Sequence, residues 1–132
     1  MILPDTSIWI DFLGRKPGEK AEWLRGEMER KSKVYICSPI LQEVLQGASN
    51  DVAFGRIRKQ LESLPWASAD DAKFTAILAA RLYAKVRWAG LTVRSPNDCL
   101  IASSAIEHDL TELHNDRDFE SIAKIEPRLK LA

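Results

Sequence analysis

The chain has 132 residues, 45% of them hydrophobic, which is the size and apolar content of one globular domain. Lys plus Arg and Asp plus Glu number 19 each, so the formal net charge is zero and a strongly basic arm that grips nucleic acid on its own is excluded. A nucleic-acid substrate is not excluded, because a bound cation adds positive charge where it sits. Cys37 and Cys99 lie in apolar runs and read as reduced, buried thiols, with no zinc-type Cys or His spacing. No apolar run is long enough to span a bilayer. Met1-Ile2-Leu3 passes straight into Pro4-Asp5-Thr6-Ser7, so no signal peptide is expected. The expectation is a single domain over residues 1–132, in the cytoplasm.

In chain order, Ile2-Leu3 reads as a buried strand ending at Pro4-Asp5. Residues 8–13 form a short helix stopped by Gly14 and Pro17, and residues 19–30 carry Trp23, Leu24 and Met28 at helical spacing. Residues 34–37 are β-branched and aromatic, hence a strand. Ser38-Pro39 starts a helix, with Ser at the cap and Pro in the first turn; it carries Glu43 and ends near Gly47. A helix covers 51–64. Ser68 with Asp71 makes a capping box for a long helix ending near Gly90, with Phe74, Leu78 and Leu82 as its apolar stripe. Ser95-Pro96 repeats the Ser-Pro start and places Asp98 in the first turn of a helix running to about 109. A weak strand at 111–114, a turn at 115–118, a short helix at 119–125 and a strand at 129–131 complete the chain. Helices alternate with short strands, so the class is α/β with a mainly parallel sheet.

Asp5, Glu43, Asp98 and Asp116 all fall where apolar runs give way to turns or helix starts. Open α/β sheets bind ligands at the carboxyl ends of their strands. Acids converging there repel one another until a cation neutralises them, and oxygen-only ligands select hard ions such as magnesium or manganese. Such a cluster without a protein nucleophile suits phosphodiester hydrolysis by activated water. Each acid also has an ordinary reading. Asp5 and Asp98 suit helix capping, Asp116 and Asp118 suit a turn, and Glu43 suits a boundary position on an apolar helix.

Asp5-Thr6-Ser7-Ile8-Trp9-Ile10-Asp11, Asn97-Asp98-Cys99-Leu100-Ile101-Ala102 and His114-Asn115-Asp116-Arg117-Asp118-Phe119 together resemble the PIN-domain ribonucleases, and within them the VapC toxins of bacterial toxin–antitoxin pairs. Glu43, in Leu41-Gln42-Glu43-Val44, matches the family's second acid. The resemblance implies a three-layer α/β/α sandwich and an endoribonuclease dependent on Mg2+ or Mn2+. It implies that Asp5, Glu43, Asp98 and Asp116 form the catalytic, metal-holding pocket, with Asp118 accessory and Ser7 orienting a carboxylate or water. Arg94 and Arg117 are the expected phosphate contacts. The resemblance further implies RNA as substrate, structured RNA such as tRNA among the options, a VapB-type antitoxin as inhibitor, a homodimer inside a toxin–antitoxin complex, and operator DNA bound only through the antitoxin. The apolar helices at 8–13 and 21–28 offer a groove for a partner helix, or ordinary core packing.

Two positions depart from the family pattern. Pro4 cannot donate to a sheet ladder. Glu112 stands in a strand position that is usually apolar, and is expected to face outward at an edge. Other readings of the chain are an inactive PIN-fold binding module, an RNA-processing PIN nuclease that is not a toxin, and a phospho-accepting Asp5. The last lacks the second Asp two residues on, where Ser7 stands. His108 and His114 read as structural.

Overall fold

The computed structural model describes residues 1–67 and 70–132. Ile2 and Leu3 are buried and enter strand β1 (Ile2–Pro4), which pairs in parallel with β2 (Thr111–Leu113); β2 pairs in parallel with β3 (Lys130–Leu131). The register sets Leu3 beside Glu112 and Glu112 beside Leu131. On the other flank of β1, the segment 34–36 runs parallel to it through a bridge between Ile2 and Val34, and a further bridge joins Ile36 to Trp66.

The expected strand at 34–37 is therefore reduced to single bridges. Pro4 supplies the reason. The Ile2 amide donates to the Lys33 carbonyl, so alternation turns the next same-side position, Pro4, toward Tyr35. Proline has no N–H to give there, and the ladder stops.

Glu112 corrects the sequence reading more sharply. It lies on the central strand, not at an edge, and is 0% exposed. Neither of its carboxyl oxygens has a hydrogen-bond partner among the described residues.

The helices are α1 (Thr6–Leu13), α2 (Glu19–Glu29), α3 (Ser38–Gln46), α4 (Asp51–Glu62), α5 (Ala72–Trp88), α6 (Pro96–Glu107) and α7 (Arg117–Ile125). They build the outer layers of the α/β/α fold. α1 packs on α2 and α3, and α3 on α4; α5 packs on α6 and α7; α3 and α6 meet between the two groups. Trp9, Ile36, Ile40, Leu82, Ile101 and Phe119 are fully buried in the shared core.

Several local expectations shift. Cys37, not Ser38, is the N-cap of α3, and Ser38 is already helical. Ser95 is the N-cap of α6 but its hydroxyl makes no cap bond. Asp71 caps α5 directly, accepting from the amides of Lys73 and Phe74, whereas Ser68 of the expected capping box lies outside the described residues. The core face of α5 is Thr75, Ala79, Leu82 and Val86, and Phe74 is 58% exposed. Gly90, just past the end of α5, has φ +78°, a conformation that favours glycine. Of the tryptophans, Trp9 is buried while Trp23, Trp66 and Trp88 are exposed. No helix among the described residues is long and apolar enough to cross a membrane.

Candidate metal centre

The adjacent carboxyl ends of β1 and β2 position the first two acids. Asp5 follows β1, and its amide donates to the Leu113 carbonyl at 2.9 Å, so the two strand ends stay side by side. Asp5 occupies the N-cap of α1 but its side chain makes no cap bond, which leaves that carboxylate to the cleft. Beyond β2 the chain turns at His114-Asn115. The His114 ring is buried against Phe119, with Nδ1 at 2.9 Å from the Asp116 carbonyl, and burial lowers its pKa. It shapes the turn, as the structural reading expected. Asp116 caps α7, accepting from the Asp118 amide at 3.0 Å. Asp98 arrives in the first turn of α6, and Glu43 on α3, where those helices meet.

Asp5, Glu43, Asp98, Asp116 and Asp118 line one open cleft of about 390 Å³, together with Ser7 and Arg94. Within it Asp98, Asp116 and Asp118 are tightest, with one oxygen from each lying within 4.8 Å of the others. Asp118, expected only as an accessory acid, is 4% exposed and belongs to this trio. Asp5 and Glu43 flank it. Ser7 Oγ donates to Asp5 Oδ2 at 3.3 Å, a contact that can orient that carboxylate. Thr6 Oγ1 donates to Glu43 Oε1 at 3.3 Å. Thr6 was not singled out beforehand, because its partner is 37 residues away and only the fold joins them.

Arg94, expected on a phosphate, reaches the acids instead. Its guanidinium is 2.8 Å from Asp116 and 3.5 Å from Asp118, and its amide donates to Asp118 at 3.0 Å. Arg117 is exposed and makes no ion pair among the described residues.

Burial pushes the Asp5 carboxyl up to about 6; hydrogen bonds from Thr6 and Ser7 pull it down, and the charges of Glu43 and Asp116 push it up. Asp98 is raised above the usual carboxylate range, first by burial, then by the hydrogen bond it shares with Asp118, then by the charges of Asp5, Asp116 and Asp118. Removing repulsion of this kind is what a cation does, and an all-oxygen donor set fits magnesium or manganese better than a soft metal.

Raised pKa values fix the sign of a pH effect. The folded chain holds protons on Asp5 and Asp98 where the unfolded chain has lost them. Stability from these groups is full below the ordinary aspartate value of 3.8 and falls as pH rises, through about 6 for Asp5 and on to higher pH for Asp98. Thermal unfolding in EDTA from pH 4 to pH 8 is expected to show that decline, and added manganese to flatten it. A flat profile in EDTA would mean the acids are not strained.

A parallel α/β fold with an oxygen-only acid cluster at its central strand ends is an arrangement that suits a hard cation. The PIN domain family matches residues 2–125, and the chain belongs to that family, as its three motifs indicated. Ribonuclease VapC11 of Mycobacterium tuberculosis strain H37Rv is 42% identical over 128 residues, spanning 95% of this chain and 93% of that protein. VapC ribonuclease Mb1587 of Mycobacterium bovis matches to the same extent. Among solved structures, VapBC2 from Rickettsia felis bound to a promoter DNA fragment superimposes with a TM-score of 0.73 at 24% identity, over 100% of this chain and 98% of that one. VapBC-1 from nontypeable Haemophilus influenzae gives 0.76 at 17% identity, over 100% and 97%. These superpositions bear out the three-layer fold.

Proposed function

We propose that the chain is a metal-dependent endoribonuclease and the toxin of a VapBC-type pair, active in the cytoplasm. The observation that carries this reading is the trio of Asp98, Asp116 and Asp118 at the strand ends, in a chain 42% identical to VapC ribonucleases. In this reading Asp98, Asp116 and Asp118 hold the ion, Asp5 completes its shell, and Glu43 orients the attacking water. Magnesium or manganese held there supplies positive charge against the scissile phosphate and makes bound water acidic enough to attack.

The chain's own residues do the rest. Ser7 fixes the Asp5 carboxylate, and Thr6 fixes Glu43. Glu43 accepts a proton from the attacking water. Arg117 is free to contact a flanking phosphate. Arg94, exposed and paired with Asp116 and Asp118, would be available to a substrate phosphate were a cation to neutralise those acids. The His114 ring is committed to the turn through its contact with the Asp116 carbonyl, which favours metal-assisted hydrolysis over acid–base ribonuclease chemistry.

The antitoxin reading is supported by a second cleft of about 550 Å³, lined in part by Phe12, Leu13, Arg25, Arg56 and Ile57 from α1, α2 and α4. Arg25 lies 4.9 Å over the Phe12 ring. Apolar floor and cationic rim suit an antitoxin segment that pairs apolar anchors with acids. The assembly proposed is a homodimer of this chain within a toxin–antitoxin complex, with operator DNA bound through the antitoxin alone. The substrate proposed is structured RNA such as tRNA, cut at unpaired nucleotides.

The test is incubation of the purified, antitoxin-free chain with total cellular RNA in magnesium or manganese, beside EDTA. Discrete fragments that vanish in EDTA are expected, and they name the RNA. A folded chain that leaves all RNA intact in both metals would overturn the nuclease reading.

A further inference from the structure

Beside the acid cleft lies a third cavity, of about 330 Å³, that the chemistry just described does not use. Its walls come from α3, α5 and α6: Ser38, Pro39 and Gln42, then Thr75, then Asn97 and Leu100. Its place in the sheet is telling. The acids stand at the carboxyl ends of β1 and β2. The cavity stands at the carboxyl ends of the next two lines of the same parallel sheet, where 34–36 enters α3 and where Ala67 follows the Trp66 bridge. Neighbouring lines are roughly 5 Å apart, so cavity and acids share one continuous edge within reach of a single nucleic-acid strand.

The polar groups divide into committed and free. The Thr75 hydroxyl donates to Glu107 at 2.9 Å, and the Ser104 hydroxyl, also on the wall, donates to the Leu100 carbonyl at 3.2 Å. The amides of Gln42 and Asn97 have no hydrogen bond to any described residue. Each is the immediate chain neighbour of an acid, Gln42 of Glu43 and Asn97 of Asp98. An amide offers a donor and an acceptor side by side, the pattern that pairs with a base edge. Pro39 and Leu100 give apolar contact, and among the described residues that line the cavity there is no acid to repel a nucleotide. The volume sits at the small end of the range for ligand pockets, room for one nucleotide and not for a duplex.

We propose that this cavity is a base-recognition subsite, in which one unpaired nucleobase next to the cleaved phosphate is read by the amides of Gln42 and Asn97. The assignment rests on the nuclease reading above. It gives the chain a sequence preference at one fixed offset from the cut, separate from the acids that do the cutting.

The test is cleavage of a pool of short unpaired oligoribonucleotides, randomised along their length, in manganese, with sequencing of the new ends. Wild type, Gln42→Ala and Asn97→Ala are compared, with thermal unfolding confirming that each is folded. The wild type is expected to prefer one base at one offset. Each variant is expected to lose that preference by about ten-fold or more, the usual worth of a good amide–base pair, while still cutting the disfavoured sequences. Preference unchanged in both variants, with cutting intact, would overturn the subsite and leave the nuclease standing. A uniform fall in cutting of every sequence, with the preference kept, would overturn it too, by showing that the amides serve the acids. Failure of the wild-type chain to cut any member would overturn the nuclease reading and the subsite with it.

Discussion

Asp98→Asn is expected to cut RNA about a thousand-fold more slowly than wild type, or worse, equivalent to about 4 kcal/mol of lost transition-state stabilisation. The amide keeps the shape of the side chain and removes the charge. One oxygen of the trio that spans 4.8 Å then becomes a weak neutral ligand. The same change is expected to hold or raise the melting temperature in EDTA. Asp98 is buried among Asp5, Asp116 and Asp118, which forces its carboxyl to stay protonated in the folded chain, and a neutral amide removes the cost of holding that proton. Cleavage rates and unfolding curves on the same preparation separate the two effects. A folded Asp98→Asn chain that cut within about ten-fold of wild type would defeat the metal-centre assignment.

Glu112→Leu is expected to stabilise the chain by about 2 kcal/mol. A buried polar group with no partner costs about 1–3 kcal/mol, and replacing a buried ionisable group by a packed apolar one of similar size is commonly stabilising. Glu112 is fully buried on the central strand, and both its oxygens lack partners among the described residues. Burial pushes its pKa well above the ordinary 4.5, and the charges of Asp5 and Asp98 push it further. This buried carboxyl gives the stability a pH signature. Above the ordinary value the unfolded chain gains by ionising this carboxyl and the folded chain does not, so wild type loses stability as pH rises. The advantage of Glu112→Leu should therefore be larger at pH 8 than at pH 5. Denaturant titrations at the two pH values measure it. An equal or reversed advantage would mean that Glu112 has a partner it needs.

The candidate acids were legible in the sequence through the joint, ordered placement of short motifs, each of which has an ordinary reading alone. Asp5-Thr6-Ser7, Asn97-Asp98 and the Asn115-to-Phe119 turn carry their meaning locally, and the fold only had to bring the pieces together. The architecture was legible for a related reason, since the Ser-Pro starts and the apolar helix runs alternate with β-branched segments. What failed to show was non-local. The strands are two or three residues long, too short for a period of two to reveal which face is buried. Glu112 thus read as an outward edge residue when it lies in the middle of the sheet. The segment 34–37 read as a strand because nothing in it shows that Pro4, thirty residues earlier, withholds the ladder bond. The pairing of Thr6 with Glu43, and of Arg94 with Asp116 and Asp118, likewise depends on which helices meet.

The two thiols have a use that follows from their depth. Cys37 immediately precedes the helix that carries Glu43, and Cys99 immediately follows Asp98. Both are buried and free, and burial pushes each thiol to about 12. Alkylating reagents attack the thiolate, so neither sulfur reacts while its helix is seated. Uptake of iodoacetamide becomes a clock for the opening of each helix, with no label engineered in. Whatever grips the acid cleft, ion, RNA or antitoxin, should slow that clock at Cys99, beside the acid trio, before it slows it at Cys37.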